Sequence, residues 1–353
     1  MTGGGAWRVL LEAAPGQQRA LLYDGDRICE TWHHFDHAPD LTGSVQRVRI
    51  DRVFADLGRA TARLDDGTTV SIRTTSRDRV EAGGPVTVTI AAAPRDGKPW
   101  QAVLGPRLVG RDVILLPGEA GIAESRQLET APADDVKARI ATVCDTAPGY
   151  GVILRRTAGA ATDLAGAVAA LIAEWRQDAC EIATTGCVYH GGDLAARVRR
   201  AVPAVDVETV TPDQAEAFDA DWDEVVAATR LSEVRLAGGG RLWIEPTRAL
   251  TAIDADSGDG NMATLFAEAP HAIASQLRLR QSTGLVAIDM PRAAPAHRRK
   301  FDAALQEALA ADPRHPEWIG RTRGGLLECR IAHGRQGPAA YGNDVTAVSY
   351  THL

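Results

Sequence analysis

Two apolar segments that each end in an aspartate, Thr251-Ala-Ile-Asp254 and Leu285-Val-Ala-Ile-Asp289, set carboxylates at a spacing that suits metal chemistry. Between them lies an amphipathic stretch that ends Gln276-Leu-Arg-Leu-Arg280. Strand, carboxylate, helix, strand, carboxylate is the order of a right-handed crossover, which lays the two strands parallel and brings both acids to one edge of a sheet. Magnesium takes hard oxygen ligands, keeps several waters and is commonly held by one or two carboxylates plus a phosphate. It lowers the pKa of a bound water and neutralises charge on phosphoryl oxygens, so the predicted chemistry is hydrolysis of a phosphodiester. A lone strand-end aspartate more often caps a turn or a helix, and the pair is what favours a metal.

The elements around this pair follow from hydrophobic period. Two strands, Trp7-Arg-Val-Leu-Leu-Glu12 and Gln18-Arg-Ala-Leu-Leu-Tyr23, are predicted near the start, followed by the turn residues Asp24-Gly25-Asp26. His33-His-Phe-Asp-His37 places imidazoles beside a carboxylate but reads as an exposed polar linker. Short β segments between 43 and 117, with a tight turn at Asp65-Asp-Gly67, predict a small barrel of the OB type. Helices are predicted over 134–143 and 162–177 with the strand Gly151-Val-Ile-Leu-Arg155 between them, and an α/β pattern resumes from 185 to 236. A long helix over 297–311 and the segment Gly325-Leu-Leu-Glu-Cys-Arg-Ile331 follow the second aspartate.

A chain of 353 residues predicts two or three domains. No apolar run approaches the length of a membrane span, and the first residues show no charged leader followed by an apolar core, so a cytoplasmic location is expected. The five cysteines form no Cys-x-x-Cys pair, which argues against a disulfide framework and against a tetrahedral zinc site. A formal charge of −7 disfavours a nucleic-acid partner on average, yet residues 271–340 hold 11 Lys or Arg against 6 acids. One face can be basic while the molecule is not. Within that region Arg298-Arg-Lys300 fits either a solvated helix face or an RNA contact.

The segment Gly239-Gly-Arg-Leu-Trp-Ile-Glu-Pro-Thr-Arg-Ala-Leu-Thr-Ala-Ile-Asp254-Ala-Asp256-Ser-Gly258 resembles the catalytic segment of the ribonuclease E/G family. The resemblance continues through Gln276-Leu-Arg-Leu-Arg280, Gly284-Leu-Val-Ala-Ile-Asp289 and Gly325-Leu-Leu-Glu328, four blocks in order. It implies a magnesium-dependent endoribonuclease that cuts single-stranded RNA to leave a 5′-phosphate and a 3′-hydroxyl. Asp254 and Asp289 would bind the metal, Asp256 would assist catalysis, and Arg278, Arg280 and Arg323 would position the RNA backbone. The family usually has asparagine where this chain has Asp256, and after Asp289 the chain goes straight to Met290-Pro-Arg292. The alternative is a catalytically weak RNA-binding paralogue, and a DNA-directed nuclease is the third reading.

The resemblance also implies the fold class: α/β, with an RNase H-like and DNase I-like catalytic core, an inserted OB-fold β-barrel and a small α/β 5′-phosphate sensor domain. Residues 1–40 and 184–237 would form the RNase H-like subdomain, 41–117 the OB-fold, 118–183 the sensor and 238–337 the DNase I-like subdomain. In Gly151-Val-Ile-Leu-Arg-Arg156-Thr157-Ala-Gly159, Arg156 and Thr157 would hold the 5′-monophosphate of RNA, with Gly121 facing them. In the barrel, Arg63 stands near the family's first stacking aromatic, and Lys98 matches a basic position that touches phosphate. Longer family members share a zinc ion between subunits through a Cys-Pro-x-Cys segment; none is evident in this chain ahead of its last residues, and a homodimer stays among the expected partners. Val348-Ser-Tyr-Thr-His-Leu353 reads as a translated sequencing adapter, so 338–353 is expected to be an unstructured or artefactual tail and the natural chain to continue beyond it.

Overall fold

In the computed structural model, which describes residues 7–95, 97–202 and 205–341, the N-terminal segment forms three antiparallel strands rather than two. These are β1 (Trp7–Ala14), β2 (Gln17–Asp24) and β3 (Arg27–Phe35). The expected linker at His33-His-Phe-Asp-His37 is corrected here: β2 offers a full-length partner, pairing Gln17 with Phe35, and Trp32, His33 and Phe35 become buried. The His33 and Phe35 rings stack with centroids 5.4 Å apart. Among the described residues no group of three or more His, Cys, Asp or Glu is arranged to hold a metal.

The chain divides into two units, Met1–Ala38 with Val205–Leu353, and Pro39–Ala204. The second unit begins with β4 (Val45–Phe54), β5 (Arg59–Arg63), β6 (Thr69–Arg73), β7 (Pro85–Ala92) and β8 (Trp100–Leu104). Their order, β4-β5-β6-β8-β7 with β7 returning to β4, closes a five-stranded barrel with β6 and β8 parallel, as the OB type requires. Alternate residues such as Val48, Ile50, Ala60, Ala62, Val70 and Ile72 fill it.

A second sheet follows, built from β9 (Leu108–Val109), β10 (Val113–Pro117), β11 (Gly121–Glu124) and β12 (Tyr150–Leu154). The helices α1 (Asp134–Thr146) and α2 (Leu164–Asp178) accompany it. The segment 113–117, expected in the barrel, belongs to this sheet, because its apolar run pairs with β12 from Val113–Leu154 to Pro117–Tyr150. β13 (Gly186–Tyr189) joins β4 of the barrel, and α3 (Leu194–Ala201) is capped by Asp193, whose carboxylate accepts from the Ala196 N–H at 2.7 Å. Residues 184–201 therefore sit with the second unit, and the chain returns to the first only at 205.

The first unit resumes with β14 (Asp206–Thr209), parallel to β1, and α4 (Ala215–Arg230), whose Phe218 and Trp222 pack on Leu10, Leu21 and Tyr23. Then come β15 (Glu233–Arg235), β16 (Arg241–Pro246), β17 (Leu250–Asp256), α5 (Met262–Leu279) and β18 (Gly284–Asp289). The remainder is α6 (Pro295–Ala310), β19 (Glu317–Arg321) and β20 (Leu327–Ile331). The strands form one sheet in the order β15-β16-β17-β18-β20-β19. A short helical turn occupies Pro338–Tyr341, where no regular structure was expected, and 342–353 lies outside the described residues.

Both long helices cover one face of this sheet. Leu265, Ala269, Ile273 and Leu277 of α5 and Phe301, Leu305 and Leu309 of α6 recur every fourth residue and meet Leu242, Ile244, Ile253, Val286, Ile288 and Leu327. Each such large apolar side chain contributes about 1.5–3 kcal/mol on burial. Asp312, just past α6, accepts from Arg314 Nη2 at 2.6 Å, and Arg314 also donates to the carbonyls of Ser282 and Leu277, so the ends of α5 and α6 are tied together. Burial by itself raises the Asp312 carboxyl, but the Arg314 guanidinium outweighs it and holds the group below its usual range. A lowered folded-state pKa stabilises above the unfolded value, about 3.9, and the contribution is lost as pH falls through the lower folded value. Urea midpoints of the wild type and Asp312→Asn are accordingly expected to differ at pH 7 and to converge on acidification below about pH 4.

Candidate active site

The parallel ladder of β17 and β18 pairs Leu250 with Leu285, Ile253 with Ile288, and Asp254 directly with Asp289. Ile253 and Ile288 point into the helix-covered core, so Asp254 and Asp289, one residue on, lie on the opposite, open face and are exposed. Neighbouring strands lie about 4.8 Å apart, which places the two carboxylates within reach of one ion. The same row continues to Trp243, the partner of Asp254 on β16. Behind it Ala252 and Ala287 face Glu245 and Glu328, so small side chains back the pair. The donor set fits magnesium, which needs no more than two carboxylates when waters and a phosphate complete its shell.

Backbone packing fixes the loop that follows. Asp256 Oδ1 accepts from the Gly258 N–H at 2.6 Å, an Asx turn that ties the third acid to its own loop. That loop lies against the Gly238-Gly-Gly240 turn so closely that a Cβ on Gly260 would come 2.1 Å from the Gly238 carbonyl oxygen. Gly258, at φ +52°, faces the same obstruction, 2.5 Å from the Gly239 carbonyl oxygen. Glycine is required where two backbones meet. Asn261 then caps α5 by accepting from the Thr264 N–H at 2.9 Å.

Cations collect at this carboxylate edge. Loops 257–261 and 290–294 lead from the two strand ends into α5 and α6, so both helix amino ends start there. The turn between β19 and β20 lies at the same edge, because Leu327 pairs with Ile288. Arg292, Arg298, Arg299, Lys300 and Arg323 are exposed on these segments, and none forms an ion pair with another described residue. Of the arginines expected to grip RNA, Arg323 is thus available.

Arg278 and Arg280 are not. Arg278 is buried, donating to Glu30 at 2.8 Å and lying over the Trp7 ring. Arg280 donates to Gln276 at 3.0 Å and to the Thr229 carbonyl at 2.8 Å. Their positions on the last turn of α5 face the protein, which corrects the sequence expectation.

In the second unit, Arg156 donates to Glu129 at 2.6 Å and the Thr157 hydroxyl to Asp112 at 2.5 Å. Gly121 of β11 does pair with Gly151 of β12. Both expected phosphate donors are therefore engaged by carboxylates. Lys98 is exposed in the β7–β8 turn. Around Arg63 the barrel's outer face carries arginines in register: Arg49 opposite Arg63, and Arg59 opposite Arg73. Sequence reading missed Arg49, Arg59 and Arg73, although arginines at alternate strand positions carry the signal.

The model of the ribonuclease E/G family matches residues 220–331, the stretch that contains the whole six-stranded sheet and both aspartates. Similarity extends further: Ribonuclease G of Escherichia coli (strain K12) is 22% identical over 91% of this chain and 78% of its own length. Residues 220–331 are thus similar to the ribonuclease E/G family. Ribonuclease E of Haemophilus influenzae is 25% identical over 91% of the chain and 41% of its own length. Ribonuclease E of Escherichia coli (strain K12) reaches 41% identity over 27% of the chain and 10% of its own length. Identity to the family is thus higher where the match is confined to a short part of the chain.

Proposed function

We propose that this protein is an endoribonuclease that hydrolyses single-stranded RNA at the carboxylate edge of β17 and β18. The observation that carries the reading is the direct register of Asp254 with Asp289 beside cations that have no ion pair among the described residues. Asp254 and Asp289 would hold a magnesium ion, which supplies an activated water and neutralises charge on the phosphodiester. Asp256, fixed by Gly258, orients groups next to the pair, while Arg292, Arg298, Arg299, Lys300 and Arg323 hold the RNA backbone by charge. The sheet β14-β1-β2-β3 serves as the RNase H-like element, and the β9–β12 sheet as the sensor-like one.

The arginine face of the barrel supports an RNA substrate, since guanidinium planes both pair with phosphate and stack on bases. A 5′-monophosphate would have to displace Glu129 from Arg156, so its advantage over a 5′-hydroxyl end is expected to be small. Glu129→Gln, which frees the guanidinium of its counter-ion, is expected to raise the ratio of cleavage rates on the two ends by about 3-fold or more. An unchanged ratio would show that this strand end does not sense the terminus. The acid at 256 and the engaged Arg156 also favour a second reading, an RNA-binding paralogue with weak catalysis.

Incubation of the protein with a labelled single-stranded RNA, with magnesium or with EDTA, separates the two. Cleavage only with magnesium, giving 5′-phosphate and 3′-hydroxyl products and resisting competition by single-stranded DNA, is expected. Binding without magnesium-dependent cleavage overturns the enzyme reading and leaves the paralogue.

A further inference from the structure

A cleft of about 700 Å³ opens in the second unit between the barrel and the C-terminal part of α2. Its walls include Arg47 of β4, Thr87 of β7, Tyr150 at the start of β12, Trp175 and Arg176 of α2, and Glu181. Tyr150 begins the strand whose far end leads to Arg156, so the cleft is separate from the expected 5′-phosphate position. The volume lies within the usual range for small-ligand sites, about 300–1,000 Å³.

Its chemistry is specific. Among the described residues, Arg47 Nε is buried with no hydrogen-bond partner and Arg47 has no ion pair. A buried donor left unmade costs about 1–3 kcal/mol, so an acceptor that reaches this guanidinium is favoured. Arg176 is exposed and lies over the Tyr150 ring at 5.6 Å, likewise without a carboxylate partner among the described residues. Trp175 adds a second aromatic, packed at 5.7 Å against Tyr189. Two guanidinium groups lacking counter-ions among the described residues, two aromatic rings and a rim carboxylate match the parts of a nucleotide: phosphate, flat base and base N–H.

Position strengthens the assignment. Arg47 and Arg49 stand two residues apart on one side of β4, and Arg49 opens the arginine row that continues to Arg63 across the barrel. A strand following that row passes Arg63, which is paired with Asp51 at 3.4 Å, and then Arg49 before it reaches Arg47.

We propose that the cleft binds a nucleotide, its phosphate on Arg47 and Arg176 and its base against Trp175 and Tyr150. The ligand is either one unit of a single-stranded RNA or a free nucleoside monophosphate. The inference rests on the reading of the chain as an RNA-handling protein, and its test is independent of cleavage. Asp254→Asn protein in EDTA is titrated with adenosine 5′-monophosphate and, separately, with a short 5′-hydroxyl oligoribonucleotide. Arg47→Gln and Arg176→Gln in that background are expected to weaken binding about 5- to 10-fold, while Arg199→Gln, exposed on α3 outside the cleft, leaves it unchanged. Weakening for both probes identifies a free-nucleotide site; weakening for the oligomer alone identifies an RNA subsite. Unchanged affinity for both probes, or an equal loss in Arg199→Gln, overturns the proposal. Arg176 is exposed, so its variant keeps the test valid even where Arg47→Gln fails to fold.

Discussion

Asp254→Asn and Asp289→Asn are each expected to lower magnesium-dependent RNA cleavage by at least about 100-fold while leaving the unfolding midpoint near that of the wild type. The two halves of this expectation have separate causes. On the proposed reading, loss of one of two carboxylates removes a metal ligand that nothing else among the described residues replaces, since no third acidic, histidine or cysteine group joins the pair. Stability is spared because both side chains are exposed at the strand ends, and the ladder that pairs them is made by backbone groups. Asp256→Asn is the informative contrast. Its amide oxygen still accepts from Gly258, and one negative charge beside the substrate is removed, so cleavage is expected within about 5-fold of the wild type. Single-turnover rates at saturating magnesium measure all three, and a wild-type rate in Asp254→Asn or Asp289→Asn would place the chemistry elsewhere.

Glu30→Ala is expected to cost about 3–5 kcal/mol of stability, far more than any substitution at the carboxylate edge. Glu30 Oε2 receives Arg278 Nε at 2.8 Å and Oε1 receives Arg335 Nη2 at 2.5 Å, with all three side chains nearly excluded from solvent. Trp7 and Trp32 lie under the two guanidinium groups, at 5.1 Å and 4.6 Å. Removal of the single carboxylate leaves two positive charges facing each other in a poorly solvated site. Glu30→Gln keeps the acceptor oxygen and is expected to lose less. Urea unfolding followed by circular dichroism compares the two; a cost below about 1 kcal/mol for Glu30→Ala would mean that water reaches the cluster.

The same cluster shows where sequence reading stops. Asp254 and Asp289 are legible because strand period and crossover order are local properties, and a parallel crossover leaves little freedom in where the strand ends fall. Arg278 is misread because helical period tells which residues share a face and not what that face meets. Its partner Glu30 is 248 residues away. Arg156 and Thr157 follow the end of β12, but Glu129 and Asp112, 27 and 45 residues away, hold their side chains. The four residues of β13 carry no mark of the sheet they join, which is why the return of the chain to its first unit was set too early.

The ladder from Leu250–Leu285 to Asp254–Asp289 has a consequence for how such a protein changes over generations. Residues 250–289 contain both acids together with the hydrogen bonds that space them, and Pro39–Ala204 enters the chain elsewhere, between β3 and β14. On the proposed reading, substrate preference can drift through the inserted unit, arginines standing for aromatics and Glu129 filling a sensor, without passing through forms whose chemistry is broken. The cutting edge is inherited as one block, and the choice of what to cut is left free to vary.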